Sequence, residues 1–403
     1  MPGTQTISGY FSGLDTNSIM EKLREIKNEP VKLLENKQTK KENELSAWGD
    51  ISTKLLALKA QTYKLRTSST YISKTGSSSD EATLTVSVGS SAVEGIYTFT
   101  VNTLANNHLI ASNSIADKDE TLVADSGSLT IQVGDEAAVE IQSNGSLTLE
   151  GLRDLINNSE ADVTASVVNV GEDAYRLLIS GNNTGAKNSV SITNNLIVNT
   201  WIGTSSSLVV FDTANPVQAA QDATITIGSG AGAMNVSSST NQIRNVMSGV
   251  SIDLLKVNTS TPVNVKVEKD ITSIKDTILS FVDEYNNVVE FFNDQFNYDQ
   301  GNNQGGVLLS SGNLVNIQTR IQNSMTNLVS GSTGIRGLFQ LSISSSDNGT
   351  LSVNEAGLTN LLKNDFIGVR NFLLSGLALR VDNRLDDIAN SYYGTISTIK
   401  KNL

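Results

Sequence analysis

His108 is the only histidine of the 403-residue chain and cysteine is absent. The side chains that most often shuttle protons, attack carbonyls or ligate transition metals are therefore nearly missing. A Ser-His-Asp triad or a multi-histidine metal site would have to be built on one imidazole, and disulfides, thiolate ligands and cysteine nucleophiles are excluded. His108 stands in Asn106-Asn107-His108-Leu109, a polar stretch that predicts an exposed loop histidine. Asp382, Asp386 and Asp387 fall at helical spacing and have the oxygens of a carboxylate metal site. Arg380 and Arg384 are interleaved with them, which predicts a salt-bridged solvent face instead. Gly228-Ser229-Gly230-Ala231-Gly232 has the glycines of a phosphate loop but neither the Lys-Ser/Thr ending nor a following amphipathic helix, and reads as a turn. Nothing assembles an acid, a base and a nucleophile. No catalytic residue, metal ligand or cofactor is expected, and the chain reads as a non-enzyme.

The elements that carry these residues follow from a hydrophobic rhythm that changes twice. Over residues 14–65 it is helical: Asp15 or Thr16 can cap the start, Ile19, Leu23 and Ile26 step by four and three, and Glu and Lys fill the opposite face. Pro30 removes one i→i−4 bond and predicts a kink or restart. Residues 35–44 are almost wholly polar and bury no face unaided. From Trp48 the steps resume through Ile51, Leu55, Leu58, Thr62 and Leu65, the seam of a coiled coil or bundle. Residues 75–268 read as strands, with period-two runs at 83–88, 97–101 and 263–267 between Gly, Ser, Asn and Thr turns. One short helix interrupts them, capped by Thr148, with Leu149, Leu152, Leu155 and Ile156 on one face. After Asp270, a good N-cap, Ile271, Ile274, Ile278, Phe281, Tyr285, Val288 and Phe292 restore the helical rhythm. Further helical runs are expected at 314–328, 355–374 and, last, 377–403.

A helix ending near Leu65 cannot bury its seam against strands that have a core of their own. The N-terminal helix therefore packs on the C-terminal ones, Trp48, Ile51, Leu55, Leu58 and Leu65 against Ile274, Ile278, Phe281, Tyr285 and Phe292. The fold class is α+β and multi-domain: a discontinuous helical bundle or coiled-coil leg from the two chain ends, with antiparallel β-rich head domains inserted between. The expected parts are a leg helix in 1–45, a helical bundle of 46–75 with 269–403, one β-rich head of 76–112 with 217–268, and a second of 113–216.

Composition bounds the function. With 38% hydrophobic and 17% charged residues and a mean hydropathy of −0.12, the chain is expected to fold and not to insert into membranes. No stretch approaches the roughly 20 apolar residues that span a bilayer, and residues 1–6 lack the basic patch and apolar run of a Sec-type signal. Residues 76–268 carry 7 Lys+Arg against 20 Asp+Glu, which argues against nucleic-acid binding, since phosphate contacts need clustered cations.

Specific words accompany this layout: Ser12-Gly13-Leu14-Asp15-Thr16, Glu29-Pro30, Ser46-Ala47-Trp48, Ala92-Val93-Glu94-Gly95-Ile96-Tyr97 and Val101-Asn102-Thr103-Leu104-Ala105. Further on come Ala220-Gln221-Asp222-Ala223, Ser239-Thr240-Asn241-Gln242-Ile243, Phe281-Val282-Asp283-Glu284-Tyr285-Asn286 and Gly349-Thr350-Leu351-Ser352-Val353. In this order they resemble the flagellar filament cap protein family (hook-associated protein 2, FliD). Leu152–Ile156 with 163–167, 177–180 and Thr184-Gly185 is similar to the flagellin hook IN motif.

The resemblance implies a secreted homo-oligomer, a ring commonly five-fold, at the distal tip of the bacterial flagellum. There it retains flagellin and promotes its folding and insertion, after export by the flagellar type III apparatus through a disordered leading segment within 1–13. Family members continue into a further C-terminal helix that pairs with the N-terminal one, whereas this sequence stops at Lys400-Lys401-Asn402-Leu403, which leaves the intrachain partner of Ile19, Leu23 and Ile26 open. Those residues with Pro30 as a joint, and Leu33 and Leu34 beyond it, form the expected assembly surface toward a sister subunit or the filament end. The alternatives are another axial flagellar protein (a hook–filament junction protein or flagellin) and a surface adhesin binding host glycans.

Overall fold

The computed structural model describes residues 16–200, 203–299, 301, 304–329 and 334–403; Asp15 as a helix cap and the leading segment 1–13 lie outside them. The helices are α1 (Thr16–Arg66), α2 (Leu149–Asn157), α3 (Ile271–Phe296), α4 (Gly312–Thr326), α5 (Glu355–Asn364), α6 (Phe366–Asn371), α7 (Ala378–Ala389) and α8 (Thr395–Asn402). The chain divides into two units, one built from the chain ends up to Ser73 and from Asp270 onward, the other from Lys74–Lys269. The fold is α+β and multi-domain as expected, a discontinuous helical unit with antiparallel β structure inserted in its sequence.

In the helical unit α1 is unbroken for 51 residues and contains Pro30, so the helix does not restart there. Pro30 costs one bond to the Ile26 carbonyl, but Ile26 is exposed to water, and the Lys, Glu and Leu residues around Pro30 propagate the helix from both sides. The root of α1, from Ala47 to Leu65, packs along α3 and α7. Asp270 caps α3 as expected, its carboxylate accepting from the Ser273 N–H at 2.9 Å. Two other expected helical runs are interrupted. Asp365 ends α5 and caps α6 through the Gly368 N–H, and residues 372–377 widen into a π-helical turn before α7. The last run stops at Asn390, whose side-chain oxygen accepts from the Tyr392 N–H at 2.9 Å, an Asx-type turn that restarts at Gly394 as α8. Tyr392 and Leu328, expected on helical seams, are therefore exposed.

The β unit has two hydrophobic cores. The first lies between a five-stranded antiparallel sheet, in the order Lys74–Ser78, Asn258–Lys269, Gly95–Thr103, Ala223–Ile227, Met234–Ser238, and a three-stranded one of Gln242–Met247, Val250–Leu254 and Leu84–Val88. Val263, Val265 and Val267 alternate inward, Val263 opposite Phe99 and Val265 opposite Tyr97, the period-two burial that the sequence predicts. The second core joins the sheet of Asn107–Ala111, Ala174–Thr184 and Val163–Gly171 to that of Val139–Gln142, Ser128–Val133 and Val190–Asn194. Helix α2 adds Leu149, Leu152 and Ile156 to it, and Thr148 caps α2 by accepting from the Gly151 N–H. Gly228–Gly232 is the loop of a hairpin, as read from the sequence.

Candidate functional site

Trp48, Ile51, Leu55, Leu58 and Leu65 from α1 share one buried core with Ile274, Ile278, Phe281, Tyr285 and Phe292 from α3. Two stretches more than 200 residues apart thus close one seam. Thr62, in register with the seam, is buried because its hydroxyl donates to the Leu58 carbonyl one turn back. Outside the seam the same helix changes character. Every residue from Ile19 to Asn43 is exposed, and the apolar side chains Ile19, Leu23, Ile26, Leu33 and Leu34 are 45–67% accessible. Ile19, Leu23, Ile26, Pro30 and Leu33 follow steps of 4-3-4-3, the spacing of a coiled-coil seam. Met20 and Val31 flank it and are also exposed; neither was among the residues expected there.

The carboxylates of α7 do not converge on a common point. Asp382 pairs with Arg66, and Asp386 takes Lys59 at 2.6 Å and the Tyr393 hydroxyl. Asp387 faces Arg384 and Arg320 at 3.5 and 3.8 Å. Among the described residues no group of three or more His, Cys, Asp or Glu could hold a metal ion. The expected partners Arg380 and Arg384 are only half right: Arg380 turns away to donate to the Ser324 and Leu328 carbonyls, while α1 supplies the cations for Asp382 and Asp386. These pairs tie α7 to the root of α1. Hydrogen bonds from Lys59, then Tyr393 and Asn390, hold the Asp386 carboxyl at about 2. What it contributes to stability is present above the ordinary carboxylate range and is lost as pH falls toward that value.

Several of the sequence words lock onto one another. The Tyr285 hydroxyl donates to the Gly349 carbonyl at 3.0 Å, and Asn286 makes a two-way clamp on Leu351, donating to its carbonyl at 2.8 Å and accepting from its N–H at 2.7 Å. Gly349 sits at φ +85°, which a side chain would strain. Asn241 clamps the backbone of Ala105 in the same way, at 2.7 and 3.0 Å, and Asn157, at the end of α2, clamps Ala165 at 2.7 and 2.9 Å. Asp222 accepts from the Ala186 N–H and the Ser237 hydroxyl, and Thr184 donates to the Ser239 carbonyl. These side chains substitute for backbone partners that no neighbouring strand supplies. They position; they do no chemistry. Asn286→Ala leaves both backbone groups of Leu351 without partners and is expected to cost roughly 2 kcal/mol, read by urea unfolding followed by helical circular dichroism. A loss below about 0.5 kcal/mol would count against the clamp.

Two family descriptions match the chain, "Flagellar hook-associated protein 2 N-terminus" over residues 12–108 and "Flagellar hook-associated protein 2 C-terminus" over 220–403. The chain belongs to the flagellar hook-associated protein 2 family. It is similar to the A-type flagellar hook-associated protein 2 of Pseudomonas aeruginosa, 28% identical over 432 residues, covering 100% of this chain and 87% of that protein. It is also similar to flagellar hook-associated protein 2 of Escherichia coli K12, 27% identical over 410 residues, covering 97% of this chain and 85% of the relative. Among solved structures it resembles the D1-D2-D3 domains of the flagellar cap protein FliD from Escherichia coli. That match has a TM-score of 0.62 at 25% identity and covers 89% of this chain and all of that one. This is a structural family rather than an enzymatic one. No helix among the described residues is long and apolar enough to cross a membrane.

The one histidine of the chain is not the exposed loop residue expected. His108 lies in the strand Asn107–Ala111, is 7% exposed, and its Nδ1 accepts the Val190 N–H at 2.8 Å. The imidazole thus ends the edge of the Val190–Asn194 strand where a carbonyl would otherwise stand. Its polar neighbours in sequence hid this, because the burial comes from a strand 82 residues away. Burial pushes the imidazole below its ordinary value, and a neutral ring with the proton on Nε2 is the form that accepts this bond. The unfolded chain takes up a proton below about 6.5 while the folded one resists. Stability is therefore full above that pH and falls as acid is added, levelling off below the folded-state value. Proton NMR of the single imidazole is expected to show a midpoint below about 6.5; a midpoint at or above it would contradict the buried neutral ring.

Proposed function

We propose that the protein caps a flagellar filament. In this reading it is a homo-oligomeric ring, secreted through the flagellar type III apparatus, that stands at the distal tip, retains exported flagellin and promotes its folding and insertion as the filament lengthens. The observation that carries the reading is the apolar 4-3-4-3 strip on the outer part of α1, where every residue from Ile19 to Asn43 is exposed. Family membership supports it, as does the likeness to a protein described as a flagellar cap. Ile19, Leu23, Ile26, Pro30, Leu33 and Leu34 meet a sister subunit or the filament end. The seam from Trp48 to Leu65 holds the root of that helix, and the parts 1–45, 46–75 with 269–403, 76–112 with 217–268, and 113–216 serve as leg, bundle and two heads.

A ring does not share the symmetry of a helical filament end, so its subunits must accept several different local contacts. An apolar strip on a water-exposed helix suits that task, because apolar burial is non-directional. The reading needs no cofactor, metal, nucleic acid or membrane insertion. It is tested by the oligomer mass of the purified protein together with electron microscopy: small closed rings are expected. Long filaments would favour flagellin, and monomers with affinity for glycans would favour an adhesin; either overturns the proposal.

A further inference from the structure

The chain contains two Asn-Gly pairs, Asn144-Gly145 and Asn348-Gly349, and the structure treats them oppositely. We infer that Asn144 is a site of spontaneous covalent modification, with water as the co-reactant, and that Asn348 is protected from the same reaction. The backbone nitrogen of Gly145 attacks Cγ of Asn144; the new C–N bond closes a five-membered succinimide, and the amide nitrogen departs as ammonia with the proton from the Gly145 nitrogen. Water then opens the ring at either carbonyl, leaving an aspartyl or isoaspartyl residue. The sum is Asn plus water giving acid plus ammonia, with no change of oxidation state. Glycine at the second position permits the attack because no side chain crowds the nucleophilic nitrogen.

Asn144 and Gly145 are both exposed, and neither the Asn144 side chain nor the Gly145 N–H has a hydrogen-bond partner among the described residues. A methyl group built on Gly145 would meet nothing within 4 Å. The flanks are held: Ser143 N–H donates to the Gly127 carbonyl, and Leu147 N–H to that of Ala124. The Gly145 carbonyl accepts from the Ser143 hydroxyl at 3.0 Å, but that bond engages neither the attacking nitrogen nor the Asn144 amide. At the other pair the nucleophile and the electrophile are both engaged. The Gly349 N–H donates to the Ser346 carbonyl at 3.0 Å. Asn348 Oδ1 accepts from the Ser346 hydroxyl at 2.6 Å, the Thr350 hydroxyl at 2.8 Å and the Thr350 N–H at 3.1 Å. The Asn348 carbonyl further accepts from Asn293. Reaction there requires several of these bonds to open first.

The modification adds a negative charge to residues 76–268, which already carry 20 acidic side chains against 7 basic ones, and it accumulates with the age of the folded protein. The experiment incubates the full chain at mildly alkaline pH, native and in urea, and follows both pairs by peptide mapping with isoaspartate detection. In the native protein Asn144 is expected to convert at least about tenfold faster than Asn348, the cost of opening two ordinary hydrogen bonds at the latter; in urea the two rates converge. Isoelectric focusing of an Asn144→Gln variant is expected to lack the first acidic band that the parent acquires. Equal native rates at the two pairs, no native conversion at Asn144, or an undiminished acidic band in the variant would each overturn the inference.

Discussion

Phe281→Ala is expected to lower the stability of the helical unit by about 3–5 kcal/mol, a fall on the order of 10 °C in its thermal midpoint. The ring is 1% exposed and belongs to the core that Trp48 also enters. Removing it loses the transfer free energy of its carbons and leaves a void that the neighbouring helices cannot close, because both are fixed elsewhere. Asp270 caps α3, and the α7 carboxylates hold the root of α1 through Lys59 and Arg66. Far-ultraviolet circular dichroism reads the loss, since most helical residues lie in this unit. Phe339 is 85% exposed, and Phe339→Ala provides the contrast, with a change within about 0.5 kcal/mol. A loss below about 1 kcal/mol at Phe281 would mean that the two chain ends do not depend on a common core.

Replacing Ile19, Leu23 and Ile26 together by Gln is expected to leave that midpoint nearly unmoved while abolishing assembly. The three side chains are exposed and belong to no buried core among the described residues, and Gln matches the helix propensity of the residues it replaces, so α1 itself is not weakened. If the strip is the proposed assembly surface, each side chain buried there is worth about 1.5 kcal/mol, and losing three weakens the contact on the order of a thousandfold. Analytical ultracentrifugation of parent and variant at equal concentration gives the answer, with motility of cells that depend on the variant as the second readout. Closed oligomers of unchanged mass in the variant would show that the strip is not where subunits meet.

The helical seam was legible because it is local twice over. Trp48 to Leu65 and Ile274 to Phe292 each repeat at three and four residues, and two such stripes with strands between them have no economical partner but each other. The restart expected as one outcome at Pro30 does not occur: whether a helix runs on past a proline depends on whether the carbonyl it orphans can reach water, which periodicity does not report. His108 and the Asn clamps were invisible because their partners are tertiary. Asn286 meets Leu351 and Asn241 meets Ala105 across 65 and 136 residues, and a polar side chain that replaces a backbone partner looks like any solvent-facing asparagine. A faint signal existed at Asn286, a poor helix former placed directly beside the apolar face of α3. Asp382 and Asp386 were seen as salt-bridged, but the sequence neighbours Arg380 and Arg384 masked the α1 cations that take them.

The two halves of α1 have a consequence for how the outer half orders. Starting an isolated helix is costly, since several residues must be fixed before one hydrogen bond forms. Residues 47–65 are already wound and clasped in a core, so they act as a permanent nucleus from which residues 16–45, about 45 Å of helix, grow without that initial penalty. Unwinding then begins at the far end and advances inward residue by residue, a zipper rather than a switch. A surface that captures the tip of such a helix would hold it from the far end while the core holds its root.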